Sequence, residues 1–279
     1  MPSVALALLC YCVVPAFTSK LYSVTNYNQQ IWSSDSLVGN VTLGNSPTAV
    51  AYQGNTYVFH NTAPGSVNMS YLVVETGEHL VVPNTTFSQT PSAVIYNERL
   101  FLFHASGENS KELWFNVYDG EEWAEDTALG TATLAGSPGA VLYNSFIYVF
   151  HRLRSQLWYT VFDGENWLED KQVPRSRSTA APSGVVYNNK LYVFHQGGPN
   201  GTTLWYNVFD GSSWDSDKQV PNTFLLDGPT PISNGKQLVV YYQGIDGFLH
   251  YNTLDAGGWA GDLVAPNVTI GSKPAVVVT

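Results

Sequence analysis

Cysteine, positive charge and long apolar runs are all scarce in this chain. Only Cys10 and Cys12 occur in 279 residues, both in one apolar stretch at the start, which excludes a disulfide-stapled scaffold. Lys and Arg number 12 against 22 acidic residues, for a net charge of −10, and no basic run occurs. That balance argues against a nucleic-acid backbone or an anionic membrane as partner. The apolar segment VALALLCYCVVPA is too short to span a bilayer, so no membrane insertion is expected. Helical periodicity is missing too. Apolar residues fall instead in short β-branched and aromatic runs broken by Gly, Asn, Asp and Pro, which is the pattern of strands and turns.

What the chain does have is aromatics, 17 Tyr, 13 Phe and 8 Trp, set in a recurring phrase. An aromatic strand ends in His, a Leu-Trp strand follows, and Asp-Gly-x-x-Trp closes the unit. The clearest copy, residues 182–221, runs PSGVVYNNKLYVFHQGGPNGTTLWYNVFDGSSWDSDKQVP. The copy before it carries VLYNSFIYVFHRLRSQLWYTVFDGENWLEDKQVP, and the one before that VIYNERLFLFHASGENSKELWFNVYDGEEWAED. A proline opens each unit, at Pro47, Pro91, Pro138, Pro182, Pro229 and Pro274, with spacings of 44, 47, 44, 47 and 45 residues. Thirteen positions after the first five prolines stand His60, His104, His151, His195 and Tyr242. Self-similarity at this period marks a repeat architecture.

Each unit divides into four strands. In the copy at Pro182, strand a is GVVY, an Asn188-Asn189 turn leads to strand b, KLYVFH, and strand c is LWYNVF. Asp210-Gly211, a strong local hairpin signal, then leads to strand d near Trp214. Four strands in about 45 residues is the size of a propeller blade. Strand c recurs at Ile31-Trp32, near Tyr71, at Leu113-Trp114, Leu157-Trp158, Leu204-Trp205 and Leu249-His250. The expected fold is therefore all-β, a six-bladed β-propeller of four-stranded antiparallel blades.

The two ends explain each other. The last residues, KPAVVVT, match strand a, and Lys20-Leu21-Tyr22 matches Lys190-Leu191-Tyr192 of strand b. A C-terminal strand shared with the N-terminal blade would close the ring and leave no open edge. Residues 1–16 are expected to be a secretory leader cut after Ala16, with Val14 and Ala16 as the small residues of the cleavage site, although its start carries no Lys or Arg. Residues 17–279 then form one domain, secreted or on the cell surface. Five N-x-S/T sequons, at Asn40, Asn68, Asn84, Asn200 and Asn267, would be glycosylation acceptors in that setting.

The recurring acidic residues do not resemble a catalytic pair. Asp119, Asp163, Asp210 and Asp255 open the hairpin, and Asp126, Asp170, Asp217 and Asp262 follow its Trp by three. Turn geometry and strand-end hydrogen bonds account for both sets, whereas glycoside hydrolysis needs one unique carboxylate pair. No enzyme is expected. The histidines, one per blade, are spread around the ring, so neither a metal nor another cofactor is implied. Blade topology instead puts the end of strand b and the start of strand c on one face, with the loops that join blades. His104 with Trp114, His151 with Trp158, His195 with Trp205, and Tyr242 with His250 are the candidate ligand-binding pairs, with Gln196 beside them. An aromatic face packs on the C–H patch of a neutral sugar while polar groups fix its hydroxyls. Large aromatics on strands also serve as inter-blade core, the role expected of Trp123, Trp167, Trp214 and Trp259.

The string KLYVFHQG…LWYNVFDGSSWDSDKQVPN resembles the repeat of the bacterial PLL-type β-propeller lectins. The likeness runs over residues 47–263, closest in the blades at Pro138 and Pro182. It implies multivalent, non-catalytic binding of fucose-like sugars between blades. Glycans or glycoproteins are the expected partners, and cells would be bridged either by sites on one molecule or by a homo-oligomer. That family is typically seven-bladed, whereas the spacing here gives six. The Aleuria-type fungal lectins have six, but their sites use an arginine and a glutamate in each blade, and the arginines here are too few and irregular to match. The alternative is an adhesion or protein-interaction propeller whose sugar sites have decayed.

Overall fold

A computed structural model describes residues 5–12, 20–27, 31–33, 36–61, 66–107, 111–198 and 200–278. Among these there is no helix, and hence none long and apolar enough to cross a membrane. Six antiparallel sheets carry the chain. Blade 1 is built from Thr48–Tyr52, Asn55–His60, Asn68–Val73 and Glu78–Thr86. Blade 2 runs through Ser92–Tyr96, Arg99–Ala105, Glu112–Tyr118 and Thr127–Thr133. Blade 3 takes Gly139–Tyr143, Phe146–Leu153, Gln156–Phe162 and the short Lys171–Gln172. Blade 4 takes Ser183–Tyr187, Lys190–Gly197, Thr203–Phe209 and Lys218–Phe224. Blade 5 takes Thr230–Ser233, Leu238–Gln243, Phe248–Asp255 and Leu263–Thr269, with Gly258–Trp259 as an extra rung.

Blade 6 joins the two ends of the chain. Ala275–Val278 is its strand a, and it pairs with Ala5–Cys12, which pairs with Lys20–Tyr27, which pairs with Ser36–Thr42. The six inner strands touch one another in a closed circle, so the ring is a six-bladed propeller with the shared blade as its clasp. One register differs from the sequence alignment. Lys20-Leu21-Tyr22 lies in the third strand, because the apolar segment Ala5–Cys12 takes the second position. Ile31–Trp32 is correspondingly not a blade strand but a two-residue rung against Asn26 and Tyr27. Three matching residues were too little to fix a register against eight paired ones. The ends of the expected leader, residues 1–4 and 13–16, lie outside the described residues.

Turn chemistry sets each hairpin. The a–b turns of blades 2, 3 and 4 place two consecutive residues at positive φ, such as Asn188 at 50° and Asn189 at 57°. This is the type I′ geometry that suits the strand twist. In the c–d hairpins the Asp carboxylate accepts the N–H groups two and three residues on: Asp119 from Glu121 and Glu122, Asp163 from Glu165 and Asn166, Asp210 from Ser212 and Ser213. These backbone donors hold all three carboxyls below their ordinary range.

The hairpin Trp then packs on the preceding blade. Trp167 meets Phe103 edge-on at 5.6 Å, Trp214 meets Phe150 at 5.8 Å, and Trp259 meets Phe194 at 6.0 Å. Trp123 reaches Phe59 at 5.9 Å in the same way. Each such contact adds about 0.5–1.5 kcal/mol beyond area burial, repeated seam after seam. Backbone bonds complete the seams: the N–H groups of Gly44, Ser88, Ala135, Thr179 and Leu226 donate to the carbonyls of Asn61, Ala105, Arg152, Gln196 and Gln243. Each acceptor is the residue directly after the strand-b His or Tyr, so that position anchors the incoming inter-blade loop.

Candidate functional site at the blade seams

Strand alternation decides which way the candidate residues face. In blade 2, Phe101, Phe103 and Ala105 pack with Ile147 and Val149 of blade 3, while Leu100 and Leu102 pack into blade 1. His104 shares the parity of Leu100 and Leu102 and so faces blade 1. By the same parity His151 faces blade 2 and His195 faces blade 3. The ladder sets His104 opposite Trp114, His151 opposite Trp158, His195 opposite Trp205, and Tyr242 opposite His250. Directly opposed residues share a face, so each expected pair is brought together at the seam with the preceding blade, near the b–c end.

The imidazoles do not reach solvent. His104, His151 and His195 are each 0% exposed, and each has its Nε2 against a carboxylate. The partners are Asp126 at 3.0 Å, Asp170 at 2.9 Å and Asp217 at 3.0 Å. The pattern has a geometric cause. On strand d, Ala128, Gln172 and Gln219 lie opposite the three Trp residues, and each Asp stands two residues earlier, on the same face. His, Trp and Asp thus share one face of strands b, c and d as a row, with the Trp half-buried and the His and Asp in direct contact. These Asp residues, expected to serve turns and strand ends, are instead the partners of the histidines. A signal was available, because the Asp recurs at a fixed two-residue offset from the strand-d position facing the Trp.

Blade 5 rebuilds the row. Tyr242 is 0% exposed and its hydroxyl donates to Asp262, so burial and that carboxylate together raise its pKa. His250 takes the Trp position, with Nδ1 2.9 Å from Asp262 Oδ1 and Nε2 3.0 Å from Asp246 Oδ1. Gln196 is 5% exposed. Its amide nitrogen donates to the Leu225 carbonyl at 2.8 Å and its amide oxygen accepts from Thr179 Oγ1 at 3.3 Å, so both ends tie loops together. Trp205 Nε1 donates to Thr203 Oγ1 at 2.8 Å, and that hydroxyl donates to the Gly197 carbonyl.

In blade 1 the residue opposite His60 is Ser70, and Tyr71 opposes Phe59, so the strand-c match near Tyr71 is displaced by one residue and the Trp position of this row holds no ring. Its Asp position, two before Val81, holds His79. Two cavities stand apart from these corners. One, about 140 Å³, lies on the axis between the starts of the inner strands. The other, about 520 Å³, is a polar groove on the hairpin face, lined by Gln53, Asn97, Glu98, Arg99 and Asp119 among others. Among the described residues no three His, Cys, Asp or Glu side chains are grouped to hold a metal.

The fold and seams define a class, the six-bladed propeller with a composite closing blade. Several solved structures superpose on this chain. The lectin of Aleuria aurantia, a fungal lectin described by its six-bladed fold and fucose recognition, superposes with a TM-score of 0.67 at 13% identity, over 96% of this chain and 99% of that one. A triple arginine-to-alanine variant of AofleA from Arthrobotrys oligospora gives 0.64 at 15%, over 98% and 89%. Bacteroides ovatus GH43B of a xyloglucan PUL gives 0.54 at 11%, over 83% and 56%. These identities establish the fold alone. No protein-family model matches the chain, and no curated protein does.

Proposed function

We propose that this protein is a multivalent, non-catalytic lectin that takes neutral, fucose-like sugars at the seams between blades. The observation that carries this is the row itself: in blades 2, 3 and 4 a half-buried indole shares one sheet face with a buried imidazole that is paired to a carboxylate, at the same corner of each seam. Trp114, Trp158 and Trp205 are the stacking platforms. His104, His151 and His195 fix the platforms from behind, Gln196 shapes the adjoining loop, and Tyr242 with His250 forms a polar variant in blade 5. Sugar sites of this kind are weak singly and gain avidity from fixed spacing. The fucose binding of the Aleuria lectin on the same ring supports the sugar class. Glycans or glycoproteins on a cell surface are the partners, with a second copy of the chain where cells are bridged.

Glycan-array binding with fucosylated, galactosylated and methylated sugars is the direct test, paired with Trp fluorescence during monosaccharide titration. Saturable quenching by one sugar class is expected, and a blank array with flat fluorescence refutes the lectin. That negative outcome would favour an adhesion or protein-interaction propeller, the alternative that the altered row of blade 1 supports. The secreted or surface location belongs to the same proposal, with glycans at the exposed Asn84 and Asn267. Cleavage after Ala16 would remove Ala5–Cys12 and free Lys20–Tyr27 to pair with Ala275–Val278. N-terminal sequencing of protein recovered from a secreting host decides it.

A further inference from the structure

The six inner strands begin at one end of the axis, each directly after its proline. The residue before that proline is small in five blades, namely Ser46, Thr90, Ser137, Ala181 and Gly228; in blade 6 it is Lys273. That lysine lines the axial cavity together with Thr48, Ser92, Ser183 and Thr230. Its ammonium donates to Ser183 Oγ at 2.8 Å, which is one acceptor for three donors. Among the described residues no carboxylate pairs with it. The nearby Asp227 is turned to backbone, its two oxygens accepting the N–H groups of Gly228 and Lys273. Burial lowers the lysine to about 8, and the nearby Asp227 charge offsets only part of that shift.

The hydroxyls beside it still have protons to give. Ser183 Oγ accepts from Lys273, and Ser92 Oγ accepts the Ala140 N–H at 2.9 Å, so each keeps its own O–H as a donor. A cavity of about 140 Å³ exceeds the roughly 10–15 Å³ that one water requires and has room for a tetrahedral ion. We propose that this cavity binds a small free oxyanion of the phosphate or sulfate class, held by the Lys273 ammonium and the Ser92 and Ser183 hydroxyls. Charge-assisted bonds from an ammonium and neighbouring hydroxyls are what such an ion needs. The net charge of −10 opposes any anion at long range, but solution ions screen that field beyond roughly 10 Å. The site is independent of the seam sites, and sugar binding has no part in it.

Isothermal titration of the full chain with inorganic phosphate, and separately with sulfate, tests this at constant ionic strength set by chloride. Saturable binding at one site per chain is expected, with sulfate displacing phosphate. Lys273→Met should weaken it by about tenfold or more and Ser183→Ala by several-fold. Thermal melting is read in parallel, because these salts stabilise proteins generically by exclusion from the surface. A rise in melting temperature that Lys273→Met shares in full, with no saturable heat, overturns the proposal. Should Lys273→Met not fold, Lys273→Arg keeps the charge and must retain binding, and native protein without a saturable isotherm is itself decisive against the site.

Discussion

Across the sheet of blade 4 one row holds His195, Trp205 and Asp217; the same positions in blade 1 hold His60, Ser70 and His79. The two blades share strand order, and both link their strand-b ends to the preceding loop. The fold therefore does not depend on the row. What changes is the chemistry at the seam. His195 has a carboxylate 3.0 Å from Nε2, whereas His60 sets Nδ1 3.3 Å from the Asn61 carbonyl and meets the His79 ring edge-on at 6.3 Å. Burial, chiefly, lowers the His60 pKa from its ordinary 6.5, and His79 adds to the effect. Ser70 offers no aromatic face. A blade can keep its place in the ring, and its buried imidazole, while losing the indole and the carboxylate proposed for sugar recognition.

The largest expected effect removes the platforms. Changing Trp114, Trp158 and Trp205 together to Ala should abolish cell agglutination, which draws on avidity of about 10²–10⁴ from linked sites. The Ser70→Ala protein should agglutinate as before. Retained agglutination in the triple variant would move the sites elsewhere on the ring.

A smaller effect tests the pair behind the platform. Asp217→Asn replaces a charged acceptor beside a buried imidazole and should cost about 1.5–3 kcal/mol in urea unfolding. In blade 1 the converse change, His79→Asp, offers His60 Nε2 the carboxylate it lacks and should stabilise by up to about 1 kcal/mol. Equal and negligible effects in both blades would mean that the His–Asp bond is incidental.

The smallest effect is a pH dependence that belongs to blade 1. His60 is held below its ordinary pKa, so the unfolded chain binds more protons than the folded one between the folded value and 6.5. Its contribution is complete above pH 6.5 and is lost as pH falls toward the folded value. His60→Phe should flatten the stability profile between pH 7 and 5, and an unchanged slope would rule His60 out as its source.

Much of the ring was legible in the chain because repetition reports topology directly. Six prolines, two-residue Asn turns and Asp-Gly hairpins each specify a local backbone geometry, and their spacing left little room for any other architecture. Trp123, Trp167, Trp214 and Trp259 pack between blades as expected. The candidate pairs are adjacent as foreseen, because an antiparallel hairpin fixes who opposes whom. Exposure was not legible. His104 looks the same in the sequence whether it faces solvent or a neighbouring blade, and only the next sheet covers it. The clasp was missed by one strand because Lys20-Leu21-Tyr22 fits two positions of a blade, and tertiary pairing with Ala5–Cys12 selected the third.

The sequence by itself determined the number of blades, the strand order within each blade and the side of the strand on which each residue lies. These follow from local φ, ψ preferences and a period of two, which need no distant partner. Only the tertiary structure decided which side is buried, which Asp closes on which His, and that a single lysine among five small residues stands at the axis. Those outcomes depend on segments far apart in the chain meeting at one seam or around one axis, and no local preference encodes such a meeting.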